Sequence, residues 1–327
     1  MEQEVLLEQK AMKKAIKKDA NTVAVGLILY SLITVAVIVV DAICRTIFLL
    51  VKEERNPELG INIDAYMDSY MEDATSMIIG VILGVLFLIF LFGKKVSLKD
   101  FFVENRRMKL SHFWQIMCVF LGMQLVFMMV DGVLEAGLNL IGYSARESIE
   151  QATGGSNTLS MFLYAGFVGP IVEELIYRGF VLKILQKHGK MVAIVVSAVL
   201  FGVMHANLPQ GLYAFSVGII LGYVAVEYSI VWSIALHIIN NCLMADLLGK
   251  VIAGFGEQTR NVIEYLVFIC FFVLGAVFMW RNRSRIQDYA RENGEPKKKY
   301  WYALTAVMMI VFIVAETAFA ILQLTPV

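Results

Sequence analysis

Two adjacent carboxylates, Glu173 and Glu174, followed by Arg178, interrupt the otherwise apolar stretch GFVGPIVEELIYRGF. An ionisable side chain at the centre of a membrane span costs about 2.5–3.5 kcal/mol on insertion scales, so each one present points to a function. Glu174 and Arg178 are at i, i+4 with the carboxylate N-terminal, the favourable order, and can neutralise each other. Glu173 is rotated about 100° away and needs a partner from another helix. His205, at the end of VLFGVMHAN, supplies one imidazole; WSIALHIINNCLMAD supplies a second, His237, with Asn241 at i+4 from it. A carboxylate with a histidine can deprotonate water, and imidazole and amide donors can stabilise the oxyanion of a tetrahedral intermediate. This is the equipment of a hydrolase. The trio Glu173, His205 and His237 could equally hold Zn²⁺ with an open water position, although the helical H-E-x-x-H pattern is absent.

These residues must be brought together by the elements that carry them. The connection KILQKHGK turns the chain near Gly189, fifteen residues after Glu174 and sixteen before His205. In an antiparallel helical hairpin both then reach nearly the same depth, and Glu173 and His205 can meet between the two helices. His237 lies eight residues beyond the turn EYS, roughly 12 Å into its span at 1.5 Å per residue. Phe201, at i−4 from His205, is placed to form an apolar wall of the same volume.

Composition sets the surroundings. The 327 residues are 59% apolar and 17% charged, with a mean hydropathy of +0.70, whereas soluble domains are about 45–50% apolar and 25% charged. With 28 Lys+Arg against 28 Asp+Glu, no net charge steers the chain toward nucleic acid; the expected surroundings are the lipid bilayer. Nine apolar runs, at about 22–51, 74–93, 112–141, 159–182, 191–207, 211–228, 230–249, 261–280 and 301–323, are continuous rather than alternating, which predicts an all-α polytopic membrane protein of about eight or nine helices and no barrel. Three stretches follow, 1–158, 159–249 with the motif residues, and 250–327, joined in a single membrane domain. With alternate loops assigned to opposite sides, 21 basic residues fall on one side and five on the other. The positive-inside rule then predicts a cytoplasmic N-terminus. The amphipathic first twenty residues lack a cleavable signal pattern, leaving the first span as the insertion signal. Cys44, Cys118, Cys242 and Cys270 form no C-x-x-C pair and read as buried hydrophobes. Asp131 and Glu135, like-charged at i, i+4, are assigned a structural part, and Glu227, Glu264 and Glu316 no site.

E-E-L-I-Y-R at 173–178, F-G-V-M-H at 201–205 and H-I-I-N-N at 237–241 occur in this order and resemble the three motifs of the CAAX protease and bacteriocin-processing family, also called Abi-type intramembrane proteases. The resemblance covers roughly 159–249. It implies peptide-bond hydrolysis in a membrane cavity, with a membrane-associated peptide or protein as substrate. Glu173 and His205 would activate water, His237 and Asn241 would form the oxyanion site, and Glu174 and Arg178 would be structural. The family is named for both a metalloprotease and a metal-free glutamate mechanism; Asn241, a poor zinc ligand and a good oxyanion donor, favours the second. Bacterial branches serve bacteriocin immunity, peptide maturation or scaffolding, so a catalytically silent scaffold is the rival within the family. Compact loops suggest a bacterial plasma membrane. A transporter is the rival from another class, for which paired inverted repeats would be the sign; none is visible in the sequence.

Overall fold

All nine apolar runs form helices in the computed structural model of the chain, which describes every residue except 1, 57, 59–61, 63–65, 68, 69, 71, 94 and 154–157, and the backbone alone at 98, 151–153 and 243–246. In chain order the main helices are α1 (Glu2–Arg55), α2 (Thr75–Phe92), α3 (Leu110–Leu140), α4 (Leu159–Gln186), α5 (Lys190–Val203), α6 (Leu208–Glu227), α7 (Ile230–Ile239), α8 (Glu257–Arg281), α9 (Arg283–Asn293), α10 (Lys297–Leu304) and α11 (Val307–Leu322). The chain is thus a polytopic helical membrane protein. Six helices, α1, α2, α3, α4, α6 and α8, are long and apolar enough to cross a membrane, and α10 with α11, bent by 70° between them, makes a seventh. The remaining two runs become α5, of 14 residues and about 21 Å against roughly 30 Å of hydrocarbon, and α7, whose ten regular residues continue through the wide turn Asn240–Leu247 into Leu248–Ile252. By length and composition alone, six or seven helices among the described residues can cross, against the eight or nine expected. His205 follows just after the end of α5, and His237 lies on α7.

Helix α1 runs unbroken for 54 residues, far beyond the bilayer. Its buried residues Ile16, Ala20, Val23, Leu27 and Tyr30 recur at helical spacing, packing its first half against the protein. Farther along, Asp41 and Arg45 pair within the helix, Nε to Oδ2 at 2.8 Å, and Ser76 also donates to Asp41. The contacts run α1 with α2, α3 with α8, and α5 with α6. At the centre α4 presents Ile176, Tyr177, Val181 and Leu185 to Val192, Val196 and Leu200 of α5, all at most 1% exposed. By contrast α8 buries only Phe268 and Gly275 and turns the rest of its surface outward. Such an apolar exterior is stable only against lipid. A two-residue antiparallel pairing, Tyr143 with Pro326 and Ser144 with Thr325, ties the end of α3 to the C-terminal segment.

The α4–α5 turn depends on Gly189. Its φ is +132°, and a Cβ there would lie 2.5 Å from Glu295 Oε1, so a side chain would meet both backbone strain and a clash. Among the described residues no disulfide joins the cysteines; Cys118 is buried and Cys44 and Cys270 are exposed on helix surfaces, in part unlike the uniformly buried set expected.

Candidate active site

Helix α4 is regular only in pieces. Wide turns occupy Tyr164–Val168 and Leu175–Val181, on either side of the segment Gly169–Glu174. The first has a local cause. Pro170 has no N–H to return to the preceding turn, and the carbonyls of Ala165 and Gly166 are left for other donors. Asn241 Nδ2 donates to Ala165 O at 3.0 Å, and Cys242 Sγ approaches Gly166 O at 3.3 Å. Gly166 permits the approach, because a Cβ there would stand 2.7 Å from that sulfur. A third wide turn, Asn240–Leu247, follows α7. Single wide turns of this kind recur at functional sites, where they re-aim side chains.

The two carboxylates that open the second motif-bearing turn behave oppositely. Glu174 is wholly buried: Oε1 accepts from Arg178 Nη1 at 2.8 Å and from His237 Nδ1 at 3.0 Å, and Oε2 accepts from the hydroxyl of Ser233. Arg178 Nη2 donates onward to Gly218 O at 3.3 Å, and its guanidinium carbon lies 4.5 Å from the centre of the Phe201 ring. The expected ion pair is present, but it has a further partner: Glu174 also holds an imidazole from another helix. An ionised carboxylate only accepts, so the Nδ1 of His237 carries the proton. Its Nε2 is thereby turned toward Glu173 Oε2, 3.6 Å away. Glu173, with a side chain 32% exposed, keeps its carboxylate open to the space between the helices.

His205 completes this group from the end of α5. Its Nδ1 lies 2.7 Å from Phe201 O, a carbonyl that can only accept, so Nδ1 donates and Nε2 is left with a lone pair. Glu173 is near enough for the two groups to interact electrostatically, but no direct hydrogen bond joins them. Phe201 stands between the two imidazoles, edge-on to His205 at 4.9 Å and to His237 at 5.7 Å between ring centres. Glu173, Glu174, Arg178, Phe201, His205 and His237 are therefore gathered in one place. Among the described residues no hydrogen bond links Asn241 to them: beyond its bond to Ala165, its Oδ1 accepts from Asn240 Nδ2 at 3.0 Å. One Nδ2 hydrogen remains for another acceptor.

The sequence reasoning missed Ser233 and Asn240. Ser233 is at i−4 from His237, on the same face, and a hydroxyl in an apolar span was the available signal. Asn240 is the more deeply fixed amide, its Oδ1 accepting from Tyr213 and from Gln124, each at 2.9 Å. Among residues assigned no site, Glu227 accepts from Lys190 and Tyr289, and Glu135 accepts from Ser144 and from the Ala145 amide. Asp131 Oδ1 is buried without a partner. As to zinc, both Nδ1 atoms are engaged and two Nε2 atoms and the Glu173 carboxylate remain as donors. Among the described residues, however, no three His, Cys, Asp or Glu side chains converge closely enough to hold a metal ion.

A helical membrane protein with a carboxylate, two oriented imidazoles and a buried ion pair at the meeting of three helices has the composition of a membrane hydrolase. Residues 155–243, the stretch that holds all of these groups, match the family described as Type II CAAX prenyl endopeptidase Rce1-like. Over 109 residues the chain is 25% identical to a Bacillus subtilis (strain 168) protein named "Putative membrane peptidase YdiL"; the aligned part is 33% of this chain and 45% of that protein, so the match spans less than half of the relative. No solved structure matches the chain. The two matches support the CAAX protease and bacteriocin-processing family, a family of membrane proteases.

Proposed function

We propose that the chain is an intramembrane endopeptidase that hydrolyses a membrane-associated peptide or protein. The observation that carries this reading is the orientation of the imidazoles. Glu174 and Phe201 O take the Nδ1 protons of His237 and His205, and both Nε2 atoms are left for chemistry around the open carboxylate of Glu173. In this reading a water lies between Glu173 and His205. Glu173 accepts its proton as the oxygen attacks the scissile carbonyl, with His205 Nε2 orienting the water. His237, once its Nε2 also carries a proton beside the Nδ1 proton held by Glu174, and the free Nδ2 hydrogen of Asn241 serve the oxyanion. The proton then passes to the leaving amine as the C–N bond breaks. The reading routes no step through a metal; among the described residues no three such donors converge. The buried pair Glu174 and Arg178, with Ser233, holds His237 in place. The loop charges argue for a cytoplasmic N-terminus, and the compact loops for a bacterial plasma membrane.

The test compares membranes from cells with wild-type protein and with Glu173→Gln at matched levels, by mass spectrometry of new peptide termini. Termini present with wild type and lost with the variant support proteolysis and identify the target. Identical termini, together with an intact cellular phenotype, overturn it in favour of a silent scaffold.

A further inference from the structure

Away from the site, the first half of α1 carries Lys14, Lys17, Lys18, Asn21, Thr22 and Val25 at i, i+3, i+4, i+7, i+8 and i+11, a single helical face. With Phe92 at the end of α2 these residues line an open cavity of about 610 Å³. Lys95 closes its rim, its Nζ donating to Thr22 Oγ1 at 3.3 Å. Lys17 Nζ donates to Thr305 O at 3.2 Å, which fixes the cation without neutralising it. None of the lysines at 14, 17, 18 and 95 meets a carboxylate among the described residues. The acid in their midst, Asp19, is turned the other way, accepting from Lys187 at 3.0 Å and from His188 at 2.8 Å. The cavity therefore concentrates positive charge and supplies no anion.

Its polarity also runs in one direction. From Lys14 to Val25 is eleven residues, about 16 Å along the helix. The cations and the amide of Asn21 stand at one end, with Val25 and the Phe92 ring at the other. The apolar end coincides with the start of the apolar run of α1 and the end of α2, so the cavity spans the boundary between headgroups and hydrocarbon. A free phosphate would use only the first half. We propose that this cavity binds a phosphate-bearing anionic lipid, its headgroup among Lys14, Lys17, Lys18 and Lys95 and its acyl chain against Val25 and Phe92. Bound there, the lipid joins α1 to α2 and, through Lys17, to the α10–α11 bend.

The experiment uses the full chain in detergent micelles and measures equilibrium binding of fluorescent phosphatidylglycerol, with phosphatidylcholine and inorganic phosphate as competitors. Wild-type protein is expected to prefer phosphatidylglycerol. Lys14→Gln/Lys18→Gln should weaken that binding roughly thirty-fold, the size expected for two lysines facing an anionic headgroup. Lys10→Gln/Lys13→Gln, which removes the same charge from outside the cavity, should weaken it less than three-fold. Equal losses from the two double variants would overturn the site in favour of diffuse attraction. Phosphate competing as well as the lipid would overturn the lipid as occupant. Because these are binding measurements, their failure leaves the hydrolytic reading standing, and the failure of hydrolysis leaves this site standing.

Discussion

One substitution applied to two neighbouring residues separates the two parts assigned to the glutamates. Glu173→Gln and Glu174→Gln change the same atoms, one residue apart on one helix, yet the surroundings predict opposite outcomes. Glu174 is fully buried and accepts from Arg178, His237 and Ser233. An amide in its place brings a donor where three donors already converge, and leaves the guanidinium of Arg178, 1% exposed, without a counter-charge. Removing one partner of a buried ion pair costs about 3–5 kcal/mol, or roughly two to three and a half decades in the unfolding equilibrium at 1.36 kcal/mol per decade. Glu173 is a third exposed and faces His237 Nε2 at 3.6 Å without a close hydrogen bond, so its amide should fall within about 0.5 kcal/mol of wild type. Reversible unfolding in mixed micelles measures both stabilities, and release of new peptide termini in membranes measures turnover. Glu173→Gln should be stable and inactive; Glu174→Gln should lose stability and, in whatever fraction folds, turnover as His237 loses its anchor. Equal stability losses in the two variants would refute the division of labour.

Other outcomes follow from the same contacts. Ser233→Ala deletes one hydrogen bond to a charged acceptor and should cost about 1.5–3 kcal/mol of stability, less than Glu174→Gln in the same unfolding assay. His205→Ala should abolish peptide hydrolysis, whereas Asn241→Ala should keep a residue of it, slowed by about 10²–10³ if the amide serves the oxyanion; equal rates for the two would remove Asn241 from that role. Chelation should leave the rate unchanged, with zinc well below one per chain by elemental analysis, and a chelator-sensitive stoichiometric zinc would reverse the metal-free reading. In the loop before α2, the Thr75 hydroxyl, then Ser160, holds the Asp73 carboxyl below its ordinary 3.8. A carboxyl lowered by folding contributes its stability above the unfolded value and loses it as pH falls through the folded one. Asp73→Asn should therefore lessen the loss of stability in acid below about pH 4, read from melting profiles.

Much of the fold was legible because hydrocarbon is an exacting solvent. Nine runs of apolar residues could only become helices, since lipid offers no partner for an exposed backbone. Whether each helix crosses was harder to read. The run at 191–207 is apolar enough, but α5 stops at Val203, after which Ala206 takes a positive φ of 48°, and the run at 230–249 stays helical but widens at Asn240. Hydropathy averaged over a span does not register a left-handed residue or a wide turn. The long α1 was likewise underestimated, because Ile16 and Ala20, ahead of the apolar run, pack on the protein rather than in lipid.

For the candidate site, periodicity and depth were enough to bring Glu173, His205, His237 and Phe201 together, because the hairpin at Gly189 fixes levels that simple rise per residue predicts. The orientation of each ring was not legible, since it depends on contacts between helices. Glu174 illustrates why. From its own helix it has one evident partner, Arg178 at i+4, and an ion pair so completed needs nothing more. Only when α7 is laid alongside does Glu174 also meet His237 and Ser233, and only then does the second carboxylate become the group that decides which nitrogen of His237 is turned to Glu173. Asn241 shows the converse: i+4 spacing assigns it to the face of His237, but the wide turn that begins at Asn240 and the carbonyl left unpaired by Pro170 draw its amide to Ala165. Helical spacing is a sound guide to neighbours only while the helix stays regular, and in this chain the regularity gives way beside the residues proposed to react.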